Sequence, residues 1–252
     1  MAPADSAPAD WGIWRPRLES DIMVCEMRVE ATRELVCIDL GRCGYADALR
    51  VQERYVEALK VAAEDRAHLI LVEHDPPVIT LGRGADAGNI VASRERIAAE
   101  GIEVHETSRG GEVTYHGPGQ LVGYPILRVD LHGRDLHRYL RDIEEVLIRT
   151  LGRFGIVGKR TGGLTGVWVD DEKVAAIGVA VTRWVSYHGF ALNVRPNLEH
   201  FELIVPCGIP GKHVTSLSRL LGRQVAVEEV KPPLRECFAE VFGFDRVTEG
   251  RP

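Results

Sequence analysis

No C-x-x-C pair occurs among the five cysteines Cys25, Cys37, Cys43, Cys207 and Cys237, and their number is odd. Neither a disulfide framework nor a zinc ribbon fits that pattern, and reduced thiols suit a cytoplasmic protein. Long apolar runs are lacking too. The stretch from Val174 to Val181 falls far short of the roughly 20 residues that span a bilayer, so no membrane partner is expected. The opening MAPADSAPADWG has no basic region followed by an apolar one, and no export signal is expected. Positive charge is not in excess: 31 Lys and Arg against 37 Asp and Glu leave a net charge of −6. A nucleic-acid binder gains affinity by neutralising phosphates, so nucleic acid is not an expected partner. No repeat and no linker-like stretch divides the 252 residues.

What is present is ordinary globular material, 45% hydrophobic and 27% charged. Residues 1–30 begin with Ala, Pro, Asp and Ser, which bury little surface, and read as a flexible tail. The remainder, 31–252, reads as one domain. Apolar, β-branched runs predict strands at 35–41, 69–74, 78–84, 102–107, 112–116, 121–127 and 185–194. Residues 166–181 read as two strands around an Asp-Asp-Glu turn. Helical spacing predicts amphipathic helices over 45–66 and 135–152, the second with Leu136, Leu140, Ile143, Val146, Leu147 and Leu151 inward. A short helix over 93–101 is capped by Ser93. From about 215 the chain reads mostly helical, interrupted at Pro232-Pro233. Strands and helices mix without strict βαβ alternation. The expected class is α+β, a single domain with a mixed, largely antiparallel sheet flanked by helices.

Four clusters can carry chemistry. In RGGEVTYHGPGQ (109–120) the Gly110-Gly111 pair lets the backbone approach a ligand, and Thr114, His116 and Gln120 supply polar groups. A tight turn with a satisfied histidine is the plainer alternative. In KVAAIGVAV (173–181) Lys173 heads an apolar strand, and the face carrying Ala176, Gly178 and Ala180 is small enough to leave room for a ligand chain. A lysine beside a buried strand is partly desolvated, which suits acid–base work; a solvated strand end is the alternative. In HGFALNV (188–194) Gly189 and Ala191 clear one strand face, while His188 and Asn193 are either structural or functional. In PCGIPGKHVTSL (206–217) Cys207 lies between proline and glycine on a loop, either idle or reactive.

Together these four segments, with PPVITLGRG (76–84) upstream, resemble the octanoyltransferases of lipoate biosynthesis over roughly residues 33–245. The 34-residue interval from Lys173 to Cys207 suits that family's lysine–cysteine pair. The resemblance implies the catalytic fold shared by biotin and lipoate protein ligases. It implies a cytoplasmic enzyme with no cofactor, moving an octanoyl group from octanoyl-acyl carrier protein to a lysine of a lipoyl domain. The acceptors it implies are the E2 subunits of 2-oxoacid dehydrogenases and the glycine cleavage H protein. Cys207 is the implied nucleophile and Lys173 its proton-carrying partner. By the same analogy Arg109, Gly110, Gly111, Glu112, Val113, Thr114, Tyr115 and His116 line the acyl site. Ala176, Ile177 and Gly178 on one strand, with Gly189, Phe190 and Ala191 on another, complete it.

Two other readings compete. An ATP-dependent lipoate ligase shares a glycine-rich loop and a lysine-led strand but needs no cysteine nucleophile. A catalytically idle carrier-binding module needs neither Lys173 nor Cys207. The acidic carrier calls for a basic docking patch that the net charge hides. The candidates are Arg149, Arg153, Lys159 and Arg160, and a second group at Lys212, Arg219 and Arg223.

Overall fold

The β-branched run after residue 34 forms β1 (Glu34–Cys43) of a computed structural model that describes residues 33–61, 66–205 and 213–252. Helix α1 (Tyr45–Val61) follows and buries Ala48, Gln52, Val56 and Leu59. Strand β2 (Arg66–His74) begins three residues before the run that predicts it, at the residue where the predicted helix ends. The chain then makes β3 (Val78–Leu81), α2 (Arg94–Ala99), β4 (Glu103–Glu106), β5 (Val113–His116) and β6 (Gln120–Ile126). Ser93 caps α2 as its sequence predicts, accepting from the Arg96 amide. Helix α3 (Leu136–Gly152) starts at Asp135, whose carboxylate accepts from the His137 and Arg138 amides. Its buried stripe is Tyr139, Ile143, Val146, Leu147 and Leu151. Leu136, expected inside, is 42% exposed because it lies in the first turn, before that stripe meets the sheet.

Strands β7 (Lys159–Thr161), β8 (Leu164–Val169), β9 (Glu172–Thr182) and β10 (Val185–Asn193) run as successive hairpins. Asp170 turns β8 into β9 at φ +50°. Arg183 and Trp184 turn β9 into β10, both at positive φ, in a two-residue turn without glycine. Strand β11 (His213–Val214), α4 (Leu217–Leu221), α5 (Val227–Phe242) and β12 (Arg246–Gly250) complete the chain.

Helix α5 runs through Pro232 and Pro233 rather than breaking at them. Two prolines remove two intrahelical N–H donors. Packing of Val227, Val230, Leu234, Cys237, Phe238 and Phe242 offsets that loss. Strand β12 was not expected in a helical tail; it forms because Arg246–Gly250 finds the open edge of β1 and pairs with it in parallel.

The main sheet has the order β12-β1-β2-β6-β10-β9-β8-β7, with β11 beside β9. Pairing is parallel at β1–β12, β1–β2 and β9–β11, and antiparallel at the others. This is the mixed, largely antiparallel α+β arrangement that the element pattern predicts. One sheet face packs on α3 and α5 through Leu35, Leu69, Leu121, Phe190 and Leu192. The other face carries Ile70, Val122, Tyr124 and Ala191 and receives α1. A smaller sheet, β4-β3-β5, has its own apolar cluster around Ile79, Val113 and Tyr115. Among the described residues no helix is long and apolar enough to cross a membrane.

Candidate active site

A cavity of about 210 Å³ is walled by β9, β10 and β6 on one side and by the 109–114 segment on the other. Its floor follows from strand register. Ala176 sits opposite Ala191, and Gly178 opposite Gly189. On the same face, Val122 neighbours Ala191. Side chains alternate along a strand, so the small residues of β9 leave a trough while Ala175 and Val179 turn to the opposite core. Gly178 is required by close approach: a Cβ there would stand 2.9 Å from the Gly110 carbonyl and 3.1 Å from Arg109 Cδ. The Gly110 amide donates to the Val179 carbonyl at 2.9 Å and pins the segment to the strand.

Arg109 is buried. Its Nη2 donates to the Thr80 carbonyl at 2.7 Å and to Thr80 Oγ1 at 2.9 Å, and its Nη1 to the Gly110 carbonyl at 3.1 Å. The guanidinium therefore braces the glycine turn against β3. Two buried histidines, His116 and His188, feel this charge, and a third, His74, lies with its ring centroid 5.8 Å from that of His116. Burial holds His116 down to about 3, with the His74 ring and Arg109 adding to it. Burial and then Arg109 bring His188 to about 4, and burial brings His74 to about 4. All three are neutral imidazoles near pH 7. His74 Nε2 meets the Tyr124 hydroxyl at 2.6 Å, and its Nδ1 meets the Cys43 carbonyl at 3.2 Å. Burial pushes the Tyr45 and Tyr124 hydroxyls up, so both stay protonated.

Lys173 begins the β9 trough, and only 7% of it is exposed. Its Nζ donates to the Thr165 carbonyl at 3.3 Å and lies 4.8 Å from the Trp168 ring centroid. The backbone beside it is held by β11, where His213 pairs with Glu172 and Val214 with Lys173.

The cavity thus brings together Lys173, Arg109 to Thr114, His116, Ala176 to Gly178 and Gly189 to Ala191. Tyr115 is not on its wall. Alternation along β5 turns its ring into the small sheet's core, where its hydroxyl meets His200 Nδ1 at 2.7 Å. Cys207, with Lys212 and the N-terminal tail, lies outside the described residues.

Tyr45, Thr80, Val122, Tyr124, Gly163, Leu164, Thr165 and His188 also line the cavity. Of these, Gly163 belongs to the Gly162-Gly163 doublet of the β7–β8 turn, which is legible in the sequence. The aromatic and threonine positions read as ordinary core or strand residues. His188 is distinctive in structure: its backbone adopts φ +55° inside β10, and its amide donates to Gln52 Oε1 at 2.9 Å.

Ion pairs offset part of the first expected basic patch. Arg149 and Arg153 reach Glu240, and Arg160 reaches Glu144 and Glu145. In the second, Arg219 stands 3.6 Å from Glu172, and Arg223 3.2 Å from Glu229. These acids are distant in sequence or on a neighbouring helical turn, which a count along the chain does not see.

Residues 44–239 match the family model described as the lipoyl protein ligase A/B catalytic domain. The octanoyltransferase of Caldicellulosiruptor bescii is 48% identical over 213 residues, covering 82% of this chain and 92% of that protein. That of Gloeobacter violaceus is 49% identical over 206 residues, covering 82% and 89%.

The chain belongs to the octanoyltransferase family. The family member from Myxococcus xanthus is 47% identical over 219 residues, covering 84% of this chain, and this chain spans 61% of its length. Solved structures share the fold at lower identity. A bipartite lipoate protein ligase from Thermoplasma acidophilum superposes with a TM-score of 0.67 at 19% identity, covering 87% of this chain and 88% of that one. Lipoate-protein ligase A bound with ATP gives 0.67 at 17% identity, covering 88% of each chain. At such identities the likeness carries the fold alone. The octanoyltransferase family and the lipoate ligases therefore share one architecture, the one that the sequence resemblance implies.

Proposed function

We propose that this chain moves an octanoyl group from octanoyl-acyl carrier protein to a lysine of lipoyl domains, through a thioester on Cys207. The observation that carries the reading is Lys173, held at the head of a trough of small residues by the strand that follows the Cys207 segment. Only six positions separate Cys207 from His213, the partner of Glu172.

The chemistry balances without an energy source. The Cys207 thiolate adds to the carrier thioester carbonyl, and the carrier sulfur leaves and takes a proton from the Lys173 ammonium. The neutral Lys173 then accepts a proton from the incoming lysine ammonium. That amine attacks the acyl-enzyme, the amide forms, Cys207 leaves as thiolate, and one further proton passes to solvent. The dyad ends as it began. The trough takes the alkyl chain, and burial of about six methylenes at about 0.8 kcal/mol each gives selection by length about 5 kcal/mol to draw on.

Residues 31–252 form the catalytic unit in this reading, with 1–30 outside it. The acceptors are the lipoyl domains of 2-oxoacid dehydrogenase E2 subunits and the glycine cleavage H protein. The cytoplasm is the setting, consistent with the free thiols of Cys37, Cys43 and Cys237.

The test is transfer in a purified system without ATP. Octanoyl transfer to a lipoyl domain that proceeds without nucleotide and is abolished in Cys207→Ser supports the reading. Transfer that requires ATP replaces it with the ligase reading, and transfer without ATP that persists in Cys207→Ser removes the Cys207 thioester.

A further inference from the structure

Five residues at one end of the sheets are joined by hydrogen bonds that no step above uses. His116 ends β5, Gln120 begins β6, Asn193 ends β10, Thr215 follows β11, and Lys173 lies at the start of β9. His116 Nδ1 meets Gln120 Oε1 at 2.7 Å, and Gln120 Nε2 donates to Asn193 Oδ1 at 2.9 Å. Asn193 Nδ2 donates to the Thr215 carbonyl at 3.0 Å, and the Thr215 amide donates to the Lys173 carbonyl at 2.9 Å. All five residues are buried.

Two backbone carbonyls fix the direction of this chain. A carbonyl oxygen only accepts, so the Asn193 atom facing Thr215 is its nitrogen. Gln120 Nε2 also donates to the Tyr115 carbonyl at 3.3 Å, which sets the Gln120 amide independently. The oxygen of Gln120 therefore faces His116, and His116 Nδ1 carries the hydrogen. With Nδ1 as donor, the neutral ring has its lone pair on Nε2, and the ring forms part of the cavity wall.

We propose that Gln120 and Asn193 are positioning residues: Gln120 holds His116 as the Nδ1–H tautomer with Nε2 an acceptor on the cavity side, and Asn193, through Thr215, holds the Lys173 backbone in register with that wall. The Lys173 half rests on the proton-carrying role proposed above; the His116 half does not. Neither residue touches the reacting atoms. Their effect is on geometry, where a misplacement of about 1 Å can cost about a hundredfold in rate.

The experiment pairs two variants with two readouts on the full chain. Nitrogen-15 NMR of the histidine rings reads the tautomer, and steady-state octanoyl transfer reads kcat and KM. In the parent protein His116 shows a protonated Nδ1 and a bare Nε2, and Gln120→Met loses that signature. Asn193→Asp still accepts from Gln120 and so keeps the tautomer, but it places an acceptor against the Thr215 carbonyl. Its kcat falls about tenfold or more while KM for octanoyl carrier protein stays within about twofold. Should Asn193→Asp fail to fold, the uncharged Asn193→Ser carries the same kcat expectation.

A parent His116 protonated on Nε2, or a tautomer unmoved in Gln120→Met, overturns the first half. An unchanged kcat in the folded Asn193 variant overturns the second. Full activity in Lys173→Ala removes the role on which the second half rests and leaves the NMR result to decide the first.

Discussion

Replacing Ala176 by leucine tests whether the β9–β10 trough holds the acyl chain. Ala176 lines the cavity opposite Ala191, and its neighbour Ala175 points into the opposite core. Leucine adds three carbons to the floor and displaces about three methylenes of a bound chain. At about 0.8 kcal/mol per methylene the loss is about 2.4 kcal/mol, or about 60-fold in kcat/KM for the octanoyl substrate. A pentanoyl thioester, three methylenes shorter, fits the shortened trough and loses little. The assay is competition between octanoyl and pentanoyl carrier proteins, with the ratio of kcat/KM as readout. Ala175→Leu is the control: it overpacks the core and lowers Tm without changing that ratio. Equal loss on both chains with Ala176→Leu, or an unchanged ratio, would refute the assignment of this trough to the alkyl chain.

Further expectations follow from the same geometry. Lys173→Arg keeps a positive charge but cannot give up its proton, so octanoyl transfer falls about 10²–10⁴-fold while the pH dependence of thiol alkylation changes little; an active arginine variant would show that charge alone matters. The folded state holds His74, His116 and His188 at about 4, 3 and 4, below the ordinary 6.5. The unfolded chain therefore binds more protons across that window, and the stability present above about pH 6.5 is lost as pH falls toward 4, at about 1.4 kcal/mol per unit of depression. A Tm independent of pH from 7 to 4 contradicts this. Gly119 sits at φ +87° with the Arg195 carbonyl where a Cβ would go, so Gly119→Ala lowers stability by about 1–3 kcal/mol or more in denaturant titration.

The sheet was legible in the sequence where strands are apolar enough to declare themselves. Arg66–His74 and Gln120–Ile126 are buried along nearly their whole length, and their apolar stretches, Leu69–Val72 and Leu121–Ile126, read as strands. Lys159–Thr161 and Arg246–Gly250 are short polar edge strands that exist only because a partner edge is open, and nothing local announces them. The turn at Arg183-Trp184 lacks the glycine or asparagine that positive φ usually selects; the Arg134 guanidinium stacks over Trp184, 4.9 Å from its ring centroid. The site was legible where chemistry demands small residues, as at Gly110, Gly178 and Gly189. Its other walls were not, because Tyr45, Thr80 and Tyr124 come from an ordinary helix and ordinary strands and meet the cavity only through packing. The ion pairs within the first basic group were not legible for a related reason: Glu144, Glu145 and Glu240 reach those arginines across space or along a helix face.

The most direct measurement is the mass of the intact protein after incubation with octanoyl-acyl carrier protein and no acceptor, followed by mapping of the modified residue. The thioester reading predicts a gain of one octanoyl group, located on Cys207, removed by hydroxylamine and discharged when a lipoyl domain is added. A protein that transfers octanoyl groups while never gaining that mass, or that carries it on another residue, contradicts it.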